Sequence, residues 1–211
     1  MNGSFISKVV AKLDFNSMNQ EHIKERTQNL ESRLERISEW VKTCDNKATT
    51  LLSITALVLT ILLAGDYIMT GMQTILSTVY DPNMTEPSIC GILAVLSFIT
   101  AVILLLLSLL CCILVVRAKV SENQRNQPSI KTDSLIHFNN IACLSYSQFV
   151  EAIDRETDED YLEDLKSQIY INASRCTEKF KIYNNAVLLL CCAIPFAVLY
   201  IVFTVLFLAQ L

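Results

Sequence analysis

A chain of 211 residues that is 52% hydrophobic and only 18% charged, with a mean hydropathy of +0.40, is too apolar for an ordinary soluble domain and predicts a membrane protein. Its net charge of -4, with no basic arm or patch, excludes a nucleic-acid polymer as partner. The eight cysteines show no CxxC or Cys/His spacing, and His22 and His137 lie far apart, so neither a disulfide framework nor a metal site is expected.

Taken in chain order, residues 1–16 form an amphipathic segment, with Phe5, Ile6, Val9, Val10 and Leu13 opposite Lys8 and Lys12. A helix over 17–47 follows. Ile23, Thr27, Leu30, Leu34, Ile37, Val41, Cys44, Ala48 and Leu51 recur in it at alternating steps of four and three. That heptad-like stripe runs on into an apolar run without losing register, which calls for a partner helix.

Three windows carry no charge: Ala48 to Gly65 over 18 residues, Ile92 to Val116 over 25 and Ala186 to Leu211 over 26. Each is long enough to cross about 30 Å of hydrocarbon as a helix. The predicted order is a first transmembrane helix at 48–68, an external loop at 69–90, a second transmembrane helix at 91–117, a cytoplasmic helical region at 118–183 and a third transmembrane helix at 184–209. Eight of the 17 Lys and Arg fall between Lys8 and Lys47 and nine between Arg117 and Lys181, while the segment from Asp66 to Cys90 has none but carries Asp66, Asp81 and Glu86. The positive-inside rule then places the N-terminus in the cytoplasm and the C-terminus on the periplasmic side. The start lacks the pattern of a signal peptide, so the first span is expected to act as its own insertion signal. The fold class is all-α: three transmembrane helices, two of them extended into a small cytoplasmic helical stalk.

At the head of the first span, Asp45 and Lys47 lie off the apolar seam at the expected inner surface. Lys47 can snorkel to headgroups, whereas Asp45 gains nothing from an anionic leaflet and wants a cationic or amide partner, the best candidates lying on the second long helix near Lys179 and Lys181. Both are read as a joint coupling the stalk to the span. Beyond them Thr49, Ser53, Ala56, Thr60 and Ala64 form one small or hydroxyl-bearing line, either a helix-packing face or the lining of a water-filled path in an oligomer. The adjacent pairs Cys111–Cys112 and Cys191–Cys192 stand at similar expected depth, so their helices are expected to meet there.

The stretch VSENQRNQPSIKTDS reads as a loop. Ser145 with Gln148, and Thr157 with Asp160, have the spacing of capping boxes that open two helices. Leu162, Leu165, Ile169, Ala173, Cys176, Phe180, Tyr183 and Val187 make a second stripe running into the third span. One position before that stripe, Gln168, Asn172, Arg175 and Lys179 recur at steps of four, three and four. Amides can read a base through paired donors and acceptors, and Arg or Lys can hold a phosphate; the same pattern also suits a plain solvated flank. No Walker loop, GxGxxG, HExxH or GxSxG occurs, and His137 has no marked nucleophile beside it, so the chain does not read as an enzyme.

The segments EWVKTCDNKATTLLSI, LIHFNNIACLSYSQFVEAI and DLKSQIYINASRCTEKFKIYNNAVLL, in that order over residues 33–205, resemble the membrane effectors of Pycsar anti-phage defence. The resemblance rests on Asp45-x-Lys47-Ala48, on His137-Phe138, and on Gln168 with Lys179-Phe180; Cys44 stands where family members carry Ala or another small residue. It implies a bacterial inner-membrane protein, without a cofactor, that binds cyclic CMP or cyclic UMP made by a partner cyclase and impairs the membrane so that the infected cell dies before phage release. On that reading Arg175 or Lys179 faces the phosphate and Gln168 or Asn172 the base, with His137 at the ligand's edge. Switching a protein from 1:99 to 99:1 takes about 5.5 kcal/mol of differential affinity. One phosphate on one chain scarcely supplies that, so a homo-oligomer is expected. The competing expectation is an ungated scaffold whose helical stalk binds a cytosolic protein.

Overall fold

The computed structural model of the protein describes residues 3–79, 89–117, 130–131 and 133–209, with side chains from residue 20 onward apart from 67 and 79. The side chains of the amphipathic segment 1–16, the loop residues Asp81 and Glu86, and most of VSENQRNQPSIKTDS lie outside the described residues. Among the described residues six helices follow in order: α1 Gly3–Ala64, α2 Asp66–Val79, α3 Ile89–Val116, α4 Phe138–Ala142, α5 Tyr146–Arg155 and α6 Asp158–Leu208. No strand occurs among the described residues. Three of the helices, α1, α3 and α6, are long and apolar enough to cross a membrane, and the protein is an all-α membrane protein.

The chain divides into two compact units. The first comprises Met1–Lys42 with Lys119–Thr177, the second Thr43–Ala118 with Glu178–Leu211.

In the second unit each long helix turns one line of residues inward. On α1 that line is Cys44, Ala48, Leu51, Thr55 and Leu62. On α3 it is Gly91, Ala94, Ser97, Ala101, Leu105, Ser108, Cys112 and Val115. On α6 it is Ala186, Leu190, Ala193, Tyr200, Thr204 and Phe207. The steps of three and four put each set on one face, and the abundance of Ala, Ser, Cys and Gly lets the helix axes approach closely. Lipid is as apolar as leucine, so the gain is in packing and interhelical hydrogen bonds. Ser108 Oγ donates to the Ala186 carbonyl at 2.9 Å, and Tyr200, fully buried against Phe98, donates its hydroxyl to the Ile68 carbonyl at 2.6 Å. The outward faces of α3 and α6 carry Leu106, Leu110, Ile113, Val198, Ile201 and Val205, all exposed as a lipid-facing surface requires. Pro195 lies inside α6 and withholds the amide that would otherwise bond the carbonyl four residues back. The helices meet near the first cysteine pair through Cys112, Ala186 and Leu190, but Cys191 and Cys192 are exposed. The cysteine pairs themselves therefore do not face each other.

The segment after the first span differs from the expected loop at 69–90. Residues Asp66–Val79 form α2, which puts Ile75 against Ala94, Tyr200 and Phe207. Gly65 makes the break between α1 and α2: a Cβ there would stand 2.8 Å from the Ile61 carbonyl oxygen. Gly71 lets α2 approach α6, with Thr204 Cγ2 only 2.9 Å from where its Cβ would be.

In the first unit, Ile23, Thr27, Leu30, Leu34, Ile37 and Val41 are the residues that α1 withdraws from solvent between Gln20 and Lys42, while the intervening ones are exposed. Tyr161 of α6 donates its hydroxyl to Glu31 of α1 at 2.9 Å; burial first, and then that carboxylate, push the phenol up to about 12. Ser145 and Gln148 form the reciprocal capping box that starts α5. Thr157 and Asp160 do the same for α6: Thr157 Oγ1 and N–H both donate to Asp160 Oδ2, and the Asp160 N–H donates back to Thr157 Oγ1. Those two bonds from Thr157 hold the Asp160 carboxyl below its usual range.

Candidate ligand site

The inner line of α6 in the first unit is more polar than a core stripe should be. Asp164 is fully buried and Gln168 is 4% exposed, although both carry groups that cost free energy to desolvate unless hydrogen-bonded. Together with Ile171 and Arg175 they recur at steps of four, three and four, one face of the helix. Gln168, Ile171 and Arg175 form one wall of a narrow pocket, with free room of about 10 Å³, one water-sized sphere, whose other wall is Ile130, Lys131, His137 and Asn140.

The facing wall is built by the segment that leads into α4. His137 is the N-cap of α4, with extended backbone and no capping bond from its side chain; its carbonyl accepts from the amides of Asn140 and Ile141. The imidazole lines the pocket, stacked on Phe138 with ring centroids 4.9 Å apart. Lys131 is tied down at its backbone and at its side chain. Its amide donates to Ser167 Oγ at 3.1 Å, and its ammonium donates to the Asp160 carbonyl at 3.2 Å and stands 3.7 Å from Glu156. The lining brings together two cations, an imidazole and two carboxamides, groups that pair with an anion and with the hydrogen-bonding edge of a ring.

Of the residues singled out by sequence, His137, Gln168 and Arg175 come together in this pocket. Gln168 is buried, not on a solvated flank. Asn172 is not among the lining residues; its amide donates to the Gln168 carbonyl at 2.9 Å within its own helix. Lys179 belongs to the second unit, where its ammonium donates to Asp45 Oδ1 in an ion pair. The partner that Asp45 was expected to need is therefore Lys179, and Lys47 sits 6.0 Å from the centre of the Phe180 ring beside it. Thr49, Ser53 and Thr60 are exposed on the face of α1 away from its buried line. Each hydroxyl donates to the carbonyl four residues back, at 2.9, 3.1 and 2.9 Å.

Sequence reasoning missed Lys131, Asn140, Ser134 and Asp164. For Asp164 a signal existed: it stands one turn before Gln168 on the line that continues to Arg175. For the others no local pattern pointed to the pocket, because a loop is placed by its tertiary hydrogen bonds.

A helical membrane protein whose polar unit holds a cationic, amide-lined pocket is the class these features define. The chain belongs to the Pycsar effector transmembrane family, whose model, described as the Pycsar effector protein domain PycTM, matches residues 29–207. It is similar to the Pycsar effector protein GmPycTM of Gulbenkiania mobilis, 24% identical over 175 residues that cover 82% of this chain and 88% of that protein. No solved structure matches it. The family makes it a Pycsar anti-phage defence effector.

Proposed function

We propose that this effector binds a cyclic pyrimidine nucleotide, cyclic CMP or cyclic UMP from a partner cyclase, in the pocket of its first unit, and that binding impairs the bacterial inner membrane and kills the infected cell. The first unit is cytoplasmic on this reading, the C-terminus periplasmic, and the ligand leaves unchanged, since the protein acts as a receptor and not as an enzyme. The observation that supports it is the convergence of His137, Gln168 and Arg175, from two distant stretches of chain, on one pocket. Arg175 faces the cyclic phosphate as a charge-assisted donor, and Gln168 reads the edge of the base. Lys131 and Asn140 join them from the opposite wall, whereas Asn172 and Lys179 are engaged elsewhere. Because α6 carries Gln168 and Arg175 and also forms a span, a ligand that prefers one arrangement of this helix shifts the membrane bundle by its differential affinity.

Purified protein in vesicles is expected to release trapped dye on addition of cyclic CMP or cyclic UMP and not of cyclic AMP, and Arg175→Ala to require at least about tenfold more nucleotide, the loss of one charge-assisted hydrogen bond. Leakage that ignores every nucleotide would overturn the ligand-gated reading and favour the ungated scaffold.

A further inference from the structure

We propose that Asp164 is the positioning residue of this pocket: through Ser134 and the backbone of residues 135–137 it sets where the His137 imidazole stands, and thereby how tightly nucleotide is held. The second half of that statement rests on the ligand reading above.

Residues 133–137 belong to neither helix nor strand, so their amides must find acceptors elsewhere. Asp164 Oδ2 supplies them. It accepts from Ser134 Oγ at 2.9 Å, from the Leu135 amide at 2.9 Å and from the Ile136 amide at 3.3 Å. Ser134 Oγ passes the arrangement on, accepting from the amides of Ile136 at 3.2 Å and His137 at 3.1 Å. Asp164 is 0% and Ser134 1% exposed, so water cannot substitute for either. The shape of the segment is thus written by one carboxylate and one hydroxyl. These bonds to Oδ2 offset part of the cost of burying the carboxyl group, whose Oδ1 has no hydrogen-bond partner among the described residues.

The position of the carboxylate gives this latch its reach. Asp164 lies on the same face of α6 as Gln168 and Arg175, one turn before the first of them. The latch therefore fastens the wall that carries His137 to the helix that carries the opposite wall. Releasing it changes the span across the pocket while leaving every lining side chain chemically intact, because neither Asp164 nor Ser134 lines the pocket. Lys131, held separately by Ser167 and Asp160, keeps the start of the segment in place when the latch is cut.

The test uses the full chain in detergent or nanodiscs, in a His22→Gln background, so that the imidazole signal seen by NMR belongs to His137. Cyclic CMP and cyclic UMP are titrated by calorimetry on the same samples. Asp164→Ala is expected to move the His137 signal and to weaken nucleotide binding about tenfold or more, while Asp164→Asn, which keeps an acceptor in place, returns binding to within about threefold of the parent. A purely structural acid would not give rescue by the amide together with a shifted imidazole. Should Asp164→Ala fail to fold, Ser134→Ala carries the test: it removes the hydroxyl that donates to Asp164 and accepts from the Ile136 and His137 amides, and is expected to move the same signal. A His137 signal unmoved by the latch variants, or binding unchanged when it moves, overturns the proposal. If the parent protein binds neither nucleotide, the ligand reading fails, while the His137 signal still reports whether the latch sets the ring.

Discussion

Asp45 and Lys179 each keep part of their surface in contact with solvent, 34% and 17% by side chain, so their ion pair lies between the two extremes of salt-bridge energetics. An exposed pair is worth up to about 1 kcal/mol, and stripping one partner from a buried pair costs about 3–5 kcal/mol. Asp45→Ala is therefore expected to lower stability by about 1–2 kcal/mol, read as a lower Tm of the detergent-solubilised protein. The swap Asp45→Lys with Lys179→Asp should recover most of that loss, and a swap no better than either single reversal would show that the pair contributes nothing. Lys179→Ala should follow Asp45→Ala in stability and leave nucleotide affinity unchanged, in contrast to Arg175→Ala. At this scale the sequence was readable only in angle. Helical spacing put Gln168, Asn172, Arg175 and Lys179 on one line, but it carries no information on where along the line the chain passes into the second unit, and that boundary separates Lys179 from Arg175. His137 came from family resemblance, while Lys131 could not be seen because its position depends on bonds to Asp160 and Ser167, some thirty places away.

Among the elements, the two long stripes were the most legible feature, since a period near three and a half residues sustained over many turns leaves little choice of structure. In α1 the half-buried positions between Gln20 and Lys42 are those of the stripe, and both capping boxes form as their spacing requires. α2 stayed hidden. Its 14 residues are fewer than a span needs, and its Thr, Gln and Ser look like loop composition, yet its apolar side finds α3 and α6. That contact leaves no room at Gly71. Gly71→Val should force Thr204 and Tyr200 aside and cost about 1–3 kcal/mol, with Gly71→Ala costing less. Thermal unfolding of the two variants checks the order, and a Gly71→Val protein as stable as its parent would mean that α2 does not pack on α6.

For the molecule as a whole, α1 and α6 each supply both units, so one pair of helices contains the proposed receptor and the proposed effector of the membrane. The hydroxyls of Thr49, Ser53 and Thr60 face outward in a single chain, on a surface suited to another copy. If several chains switch together, each site adds its share of the about 5.5 kcal/mol that a full switch demands, and dye release should rise with nucleotide concentration more steeply than a simple binding curve. A hyperbolic response with one nucleotide per chain would show that each chain switches alone. The ion pair that joins the first long helix to the last also bears on how the protein is made. Asp45 and Lys179 are 134 positions apart, so the ribosome has produced most of the chain before the acid meets its cation. The finished bundle cannot close during synthesis, and a polypeptide cut short before Lys179 is left with an acid that has lost its counter-ion.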